Sequence, residues 1–329
     1  MIALGSLGDV HPHAGIGAEL RRRGHHVTLL ANDAFQDVVE QAGLNFHAIG
    51  TREELSAAAE GFTYSGLAWP KIAAVMETLA ITPARRIYDY IEARHQPGET
   101  VVTASSFCFG ARLAQEKLGV PLVSVDLQPA VFRSRYRAPR VPGLWMPDRM
   151  PPAVKARLWR VVDLLANPLV KGKLNRLRAE IDLPAVQRIW PHWLHSPQRV
   201  LGLFPGWFAP PQPDWPEQLR LTGFPLYDGP ERRAPLPREL ETFLAGSDEP
   251  PIAFTHGTEY RHGHNFFAVA VDACRRVGRR GILLTRHTPH LPDHLPPEVL
   301  HVPYARFRDL LPRVAGLVHH GGIGTTAQA

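Results

Sequence analysis

Residues 318–326 read Val318-His319-His320-Gly321-Gly322-Ile323-Gly324-Thr325-Thr326 and follow the apolar run Ala315-Gly316-Leu317. An apolar strand that breaks into three glycines and then Thr-Thr, ahead of Ala327-Gln328-Ala329, offers a backbone open to close approach, hydroxyl donors and a helix start. Those are the features of an anion site, above all one for phosphate. A plain strand-to-helix turn is the simpler alternative, and it needs only one glycine in the left-handed region. The spacing fits neither G-x-G-x-x-G nor the Walker pattern with its lysine, so the generic nucleotide motifs are excluded.

Working outward, the segments before this loop alternate in a strand and helix rhythm. In the second half, residues 240–245, 266–277 and 307–311 carry helical spacing, and residues 252–255, 281–285, 299–302 and 315–318 read as short buried strands. The first half opens with an apolar strand over residues 1–6. A helix placed by Pro12 in its first turn follows, with Arg21-Arg22-Arg23 at its end and Gly24 as its stop. Residues 27–31 and 46–49 are strands separated by a helix over 35–42. Residues 69–95 are helical with a break near Pro83, and strands at 100–104 and 120–125 flank a helix at 110–118. This β-α-β order predicts parallel, doubly wound sheets.

Residues 131–152, rich in Pro, Arg and aromatics, read as a loop or lid, and residues 153–178 as a long amphipathic helix with a basic face. Residues 200–204 read as the closing strand of the first domain. The proline-rich stretch that follows predicts an extended linker over 206–237, between a domain at 1–205 and a second at 238–329.

Composition narrows the function. The chain has 329 residues, 44% hydrophobic and 21% charged, which is ordinary for a globular enzyme. No apolar run reaches the length of a membrane span and no secretory leader is evident, so a cytoplasmic location is expected. The net charge of +6 would attract an anionic partner, but the Arg and Lys are scattered over helical faces. Nucleic acid is therefore not expected as a partner. No His or Cys grouping among the 17 His and two Cys has the spacing of a metal site, so no metal is expected. Cys108 and Cys274 read as buried, reduced thiols.

With its neighbours, the terminal loop resembles the nucleotide-sugar donor loop of the glycosyltransferase family that includes macrolide, sterol and glycopeptide glycosyltransferases. Residues 5–12, Gly-Ser-Leu-Gly-Asp-Val-His-Pro, look like its acceptor-side loop. The stretches 193–198 (Trp-Leu-His-Ser-Pro-Gln), 203–212 and 222–229 resemble the rhamnosyltransferase branch that acts in rhamnolipid synthesis. The resemblance implies a GT-B fold, α/β, with two Rossmann-like doubly wound domains facing across a cleft. It also implies that the second domain is incomplete here, since relatives continue past this point to an Asp-Gln pair that holds the donor sugar and a final crossing helix. A non-catalytic fragment that binds acceptor or nucleotide only is then the alternative to an active enzyme.

The reaction so implied is inverting transfer from a nucleotide sugar, dTDP- or UDP-linked, to a hydroxyl of an apolar or lipid acceptor. It uses no metal and no other cofactor, and L-rhamnose is the first candidate sugar. Such a transfer needs a base for the acceptor hydroxyl and electrostatic help for the departing diphosphate. Asp9 stands at the family's acid-base position. His11 is its rival, with a better-matched pKa, and an N-cap role for Asp9 is the alternative.

His320, Gly322, Gly324 and Thr325 match the family's phosphate contacts, and Gly321 belongs to the same donor-binding loop. Thr255, His256, Gly257 and Thr258 resemble the first donor loop. Tyr304 stands where relatives stack an aromatic on the base, although Arg306 replaces the proline common two residues later. Trp69, Phe132, Tyr136, Trp145 and Met146 are candidates for an apolar acceptor cleft, with packing between helices as the alternative. Peripheral contact of the basic helix with the inner membrane would suit a lipid acceptor. A dinucleotide-dependent oxidoreductase is disfavoured, because Gly5-x-x-Gly8 is a poor fingerprint.

Overall fold

The computed structural model describes residues 1–61, 76–140, 144–227, 229, 236–257 and 264–329, with residues 57–61 described by their backbone alone. Trp69 with the start of the helix expected over 69–95, Thr258, and residues 228 and 230–235 of the expected linker lie outside the described residues. The chain divides into two compact units, one formed by Met1–Gly5 with Asp9–Pro225, the other by Ser6–Gly8 with Leu226–Ala329.

In the first unit, β1 (Thr28–Asn32) pairs in parallel with β2 (Asn45–Gly50). On the other side, β3 (Val102–Ala104), β4 (Leu122–Asp126), β5 (Arg199–Gly202) and β6 (Leu219–Leu221) form a parallel run in that order. The opening residues join the two halves. Ile2 bridges both Leu30 and Ala104, and its amide donates to Thr103 O at 2.8 Å.

The expected first strand is therefore a single bridging residue with its neighbours. It sits centrally because Ile2 and Ala3 are almost wholly buried, and it ends at Gly5, whose φ of +116° turns the chain. Helix α1 (Leu7–Arg22) then starts earlier than Pro12 suggests. Ser6 Oγ accepts from Gly8 N at 3.2 Å, capping the first turn. Pro12 sits inside the helix, where burial of Val10, Pro12, His13, Ala14 and Gly17 outweighs one lost backbone bond.

Two further differences have simple causes. Residues 206–225, expected to be linker, return to the sheet as β6, because Leu219 and Leu221 complete an aromatic cluster of Phe132, Phe204 and Trp215. Proline density signalled an extended chain correctly but could not show that three of its residues pair with an edge strand. The long helix, α6 (Pro152–Glu180), matches the expected span. Between them, α4 (Ala84–Arg94) and α5 (Phe109–Leu118) cross so closely at Gly110 that a Cβ there would collide with the Ala84 carbonyl and lie 2.8 Å from Ile87 Cβ. This contact fixes where the loop after β3 leaves the sheet. Also described in this half are α2 (Gln36–Gln41) and α3 (Arg52–Gly61).

The second unit holds a four-stranded parallel sheet in the order β10-β7-β8-β9. Its strands are β7 (Ile252–Thr255), β8 (Gly281–Leu284), β9 (Val299–Val302) and β10 (Gly316–His319). The helices are α7 (Arg238–Ala245), α8 (His264–Val277), α9 (Phe307–Leu310) and α10 (Ile323–Gln328). Every residue of β8 is buried, as expected of a parallel strand covered on both faces. Leu240, Leu244, Ile282 and Leu310 pack on one face, and Phe254, Phe267, Val271 and Leu283 on the other.

Candidate functional site

Both sheets have a switch point, the place where successive connections leave in opposite directions and open a crevice at the carboxyl ends of the strands. In the second unit the chain runs from β7 through α8 to β8 and β9 on one side, and then returns to place β10 on the other. The switch point lies between β7 and β10, which pair with His319 opposite Thr255. His256-Gly257 and His320-Gly321-Gly322, two loops whose histidines are 64 positions apart in sequence, are thereby brought together.

Their fit depends on glycine. Gly257 has φ +92°, and a Cβ on it would stand 2.8 Å from His320 Cε1. A Cβ on Gly322 would collide with the same ring, and Gly321 has φ +84°. Gly324 differs: neither its φ nor any neighbour within 4 Å calls for glycine. The amide of Gly321 donates to His319 Nδ1 at 3.2 Å, and that of Gly257 to Thr255 Oγ1 at 3.4 Å. Thr255 is buried. Thr325 is half-buried in the first turn of α10, where backbone amides have no intrahelical partner.

Imidazoles dominate this edge. His256 Nδ1 donates to Gly257 O at 2.9 Å, which leaves Nε2 to accept from His290 Nδ1 at 3.0 Å. Burial lowers the pKa of both His256 and His320 below the ordinary histidine value. These rings therefore act as neutral hydrogen-bonding groups at neutral pH. Tyr304 follows β9 on the same edge with Arg286 over its ring, 5.1 Å from the centroid. Two strand spacings, ~10 Å, separate β7 from β9. Arg306 pairs with Asp309 at 2.7 Å in the first turn of α9.

In the first unit the switch point follows Ile2, between β1 and β3, and the Gly5 to Asp9 turn stands there. The Asp9 carboxylate folds back on Gly5 so closely that a Cβ at Gly5 would collide with it. Asp9 is the acidic residue of the first turn of α1, where a carboxylate is favoured. Asp9 also holds a buried imidazole, since His13 Nδ1 donates to Asp9 O at 2.8 Å and burial lowers His13 to about 4. His11 is half-buried two residues on.

A second polar cluster of this unit was not anticipated. Ser106, just after β3, donates through N to Asp126 Oδ1 at 3.0 Å and through Oγ to Oδ2 at 2.6 Å. His195 Nδ1 lies 2.7 Å from the same Oγ. His195 falls in the segment that carried the rhamnosyltransferase resemblance, the only signal that pointed to it.

The candidate acceptor residues are dispersed. Phe132 is 1% exposed, in contact with His195 at 5.4 Å and Trp215 at 5.3 Å between ring centroids. Met146 is buried, Tyr136 is 39% exposed and Trp145 73% exposed. The loop that carries them is tied to α6, where the fully buried Lys155 donates through Nζ to Tyr136 O at 2.8 Å. Among the described residues no three His, Cys, Asp or Glu converge as a metal site, and no helix is long and apolar enough to cross a membrane.

Comparison with known proteins adds the lineage. Residues 1–135 match the glycosyltransferase family 28 N-terminal domain. O-mycaminosyltylonolide 6-deoxyallosyltransferase of Streptomyces fradiae is 31% identical over 100% of this chain and 77% of its own length. Glycosyltransferase GtfE of Amycolatopsis orientalis is 30% identical over 98% and 75%, and sterol 3-beta-glucosyltransferase of Candida albicans 25% identical over 99% and 22%.

Among solved structures, the calicheamicin glycosyltransferase CalG4 superposes with a TM-score of 0.66 at 17% identity, over 100% of this chain and 76% of that one. Glycosyltransferase SsfS6 of Streptomyces sp. SF2575, complexed with thymidine diphosphate, gives 0.61 at 18%, over 99% and 77%. Those superpositions fix the fold as GT-B, in keeping with the two parallel sheets. With sequence identity of this level along its whole length, the chain belongs to the glycosyltransferase family that includes the macrolide and sterol glycosyltransferases.

Proposed function

We propose that the protein transfers a sugar from a nucleotide diphosphate donor to a hydroxyl of an apolar or lipid acceptor, with inversion and without a metal. L-rhamnose from its dTDP donor is the first candidate. The observation that carries this reading is the convergence of His256-Gly257 with His320-Gly321-Gly322 at the β7 and β10 switch point.

In this reading His320, Gly322, Gly324 and Thr325 hold the diphosphate, and Thr255, His256 and Gly257 line its sugar side, with Thr258 next in the chain. Gly324 supports it, because the protein itself gives no reason for a glycine there. Tyr304 stacks on the base. Asp9 or His11 accepts the acceptor's proton while the anomeric carbon exchanges its diphosphate bond for the new glycosidic one. The SsfS6 complex with thymidine diphosphate supports a dTDP donor, and the sterol glucosyltransferase supports a flat apolar acceptor such as a sterol or polyketide, with a UDP-sugar, as the alternative. Incubation with dTDP-rhamnose, other dTDP-sugars and UDP-glucose against a 3-hydroxyacyl lipid, a sterol and a macrolactone tests it. Release of nucleoside diphosphate that depends on acceptor is expected, and its absence for every pair would sink the proposal.

Peripheral membrane contact is proposed on a separate observation. Helix α6 turns Lys155, Ala166, Val170 and Leu174 inward, yet leaves Val154, Val161, Leu164 and Leu165 exposed beside Arg157 and Arg160. Apolar residues flanked by arginines suit an anionic lipid surface. The protein should cosediment with phosphatidylglycerol vesicles more than with phosphatidylcholine ones, and Leu164→Glu should abolish this. Equal recovery with both vesicle types would count against it.

A further inference from the structure

We propose that Ser106, Asp126 and His195 form a subsite of the acceptor-binding half, in which His195 Nε2 receives the hydrogen bond of an acceptor hydroxyl. The inference rests on the transferase reading for its ligand, but its geometry stands alone.

Asp126 is 2% exposed and takes both polar hydrogens of Ser106, the amide and the hydroxyl. A carboxylate only accepts, so the single hydroxyl proton of Ser106 is committed to it. The Ser106 Oγ then offers lone pairs to His195 Nδ1, and at 2.7 Å that nitrogen must carry the proton. Burial lowers His195 to about 4, so the ring is neutral at pH 7 and its other nitrogen is a bare acceptor.

Nε2 makes no hydrogen bond among the described residues, yet it is not among the buried polar atoms left without a partner, as His13 Nε2 is. It therefore reaches solvent, on a side chain 17% exposed. Phe132 stacks on one face of the imidazole, so the ring is held by packing as well as by the relay. Asp126 ends β4 and Ser106 follows β3, the strand next to Ile2, which puts the cluster at the same sheet edge as the Gly5 to Asp9 turn. A fixed, neutral acceptor nitrogen beside an aromatic wall selects a hydroxyl on an otherwise apolar molecule.

The test uses the whole chain labelled with nitrogen-15, with His195 assigned by comparison with His195→Phe. The expected result is a neutral ring protonated at Nδ1, with an Nε2 resonance that moves on addition of 3-hydroxydecanoate or cholesterol but not of decanoate or cholestane. His195→Phe should weaken binding of the hydroxylated probe ~10-fold and leave the deoxy probe unchanged. Protonation at Nε2 instead, or an Nε2 signal that no hydroxylated probe moves, overturns the proposal. Failure of the transferase reading would show separately, as lost dTDP binding at the β7 and β10 loops, which share no residue with this cluster.

Discussion

The two switch points of this molecule solve the same geometric problem with opposite materials. At the β7 and β10 edge the work is done by backbone: positive φ at Gly257 and Gly321, and a His320 ring that fits only because Gly257 and Gly322 lack a Cβ. At the β1 and β3 edge it is done by side chains that the fold gathers from distant positions, Asp9, Ser106, Asp126 and His195. In the proposed reading, a diphosphate has the same shape in every donor, so a fixed backbone cradle would suit it. An acceptor varies between enzymes, and exchangeable side chains suit that variety.

The sharpest way to break this contrast is at Asp9. If it accepts the acceptor's proton, Asp9→Asn should lower kcat by ~10²- to 10⁴-fold with donor affinity unchanged. If its carboxylate only caps α1, the melting temperature falls and kcat does not. On the donor side, Gly322→Ala would push a methyl into the His320 ring, and a misplacement of that size should cost ~10²-fold in transfer rate. A kcat/KM near that of the unmodified protein would show that the ring is not part of the cradle.

The first unit should also reveal itself in stability. His13 and His195 are held near 4 in the folded chain against 6.5 unfolded, so the unfolded chain binds more protons between those values. Their contribution is present above pH 6.5 and lost as pH falls toward 4, about 3 kcal/mol for each. Asp126, raised from 3.8 to about 6, acts in the opposite sense over pH 6 to 3.8 and offsets roughly one of the two. Denaturant titrations from pH 7 to 4 should show a net loss of stability, smaller in His13→Gln than in the unmodified protein. The smallest effect is expected at Tyr304, where loss of stacking in Tyr304→Ala should cost about 1 kcal/mol of nucleotide affinity, read by calorimetry. An unchanged Kd would move the base elsewhere on the edge.

The same contrast explains what the sequence made legible. The terminal loop is contiguous, so its glycines and threonines could be read directly, and strands β7 to β10 followed from short apolar runs between turn residues. Gly24 and Gly43 marked helix ends because each adopts positive φ there. Three features escaped. The start of α1 was misplaced because Pro12 is tolerated inside a helix whose buried face compensates for it. β6 was hidden in prolines, since its pairing depends on partners across the sheet. The Ser106, Asp126 and His195 cluster spans 89 positions between its ends, and no local pattern marks residues that only the β3, β4 and β5 order brings together.

The central claim is that the β7 and β10 loops form a diphosphate cradle for a nucleotide sugar. Calorimetric titration of the 329-residue chain with dTDP, UDP and NAD tests it most directly. Binding of dTDP, in preference to UDP and with no uptake of NAD, is the predicted result, and Gly322→Ala should lose it. Binding of NAD alone, or of none of the three, would contradict the account.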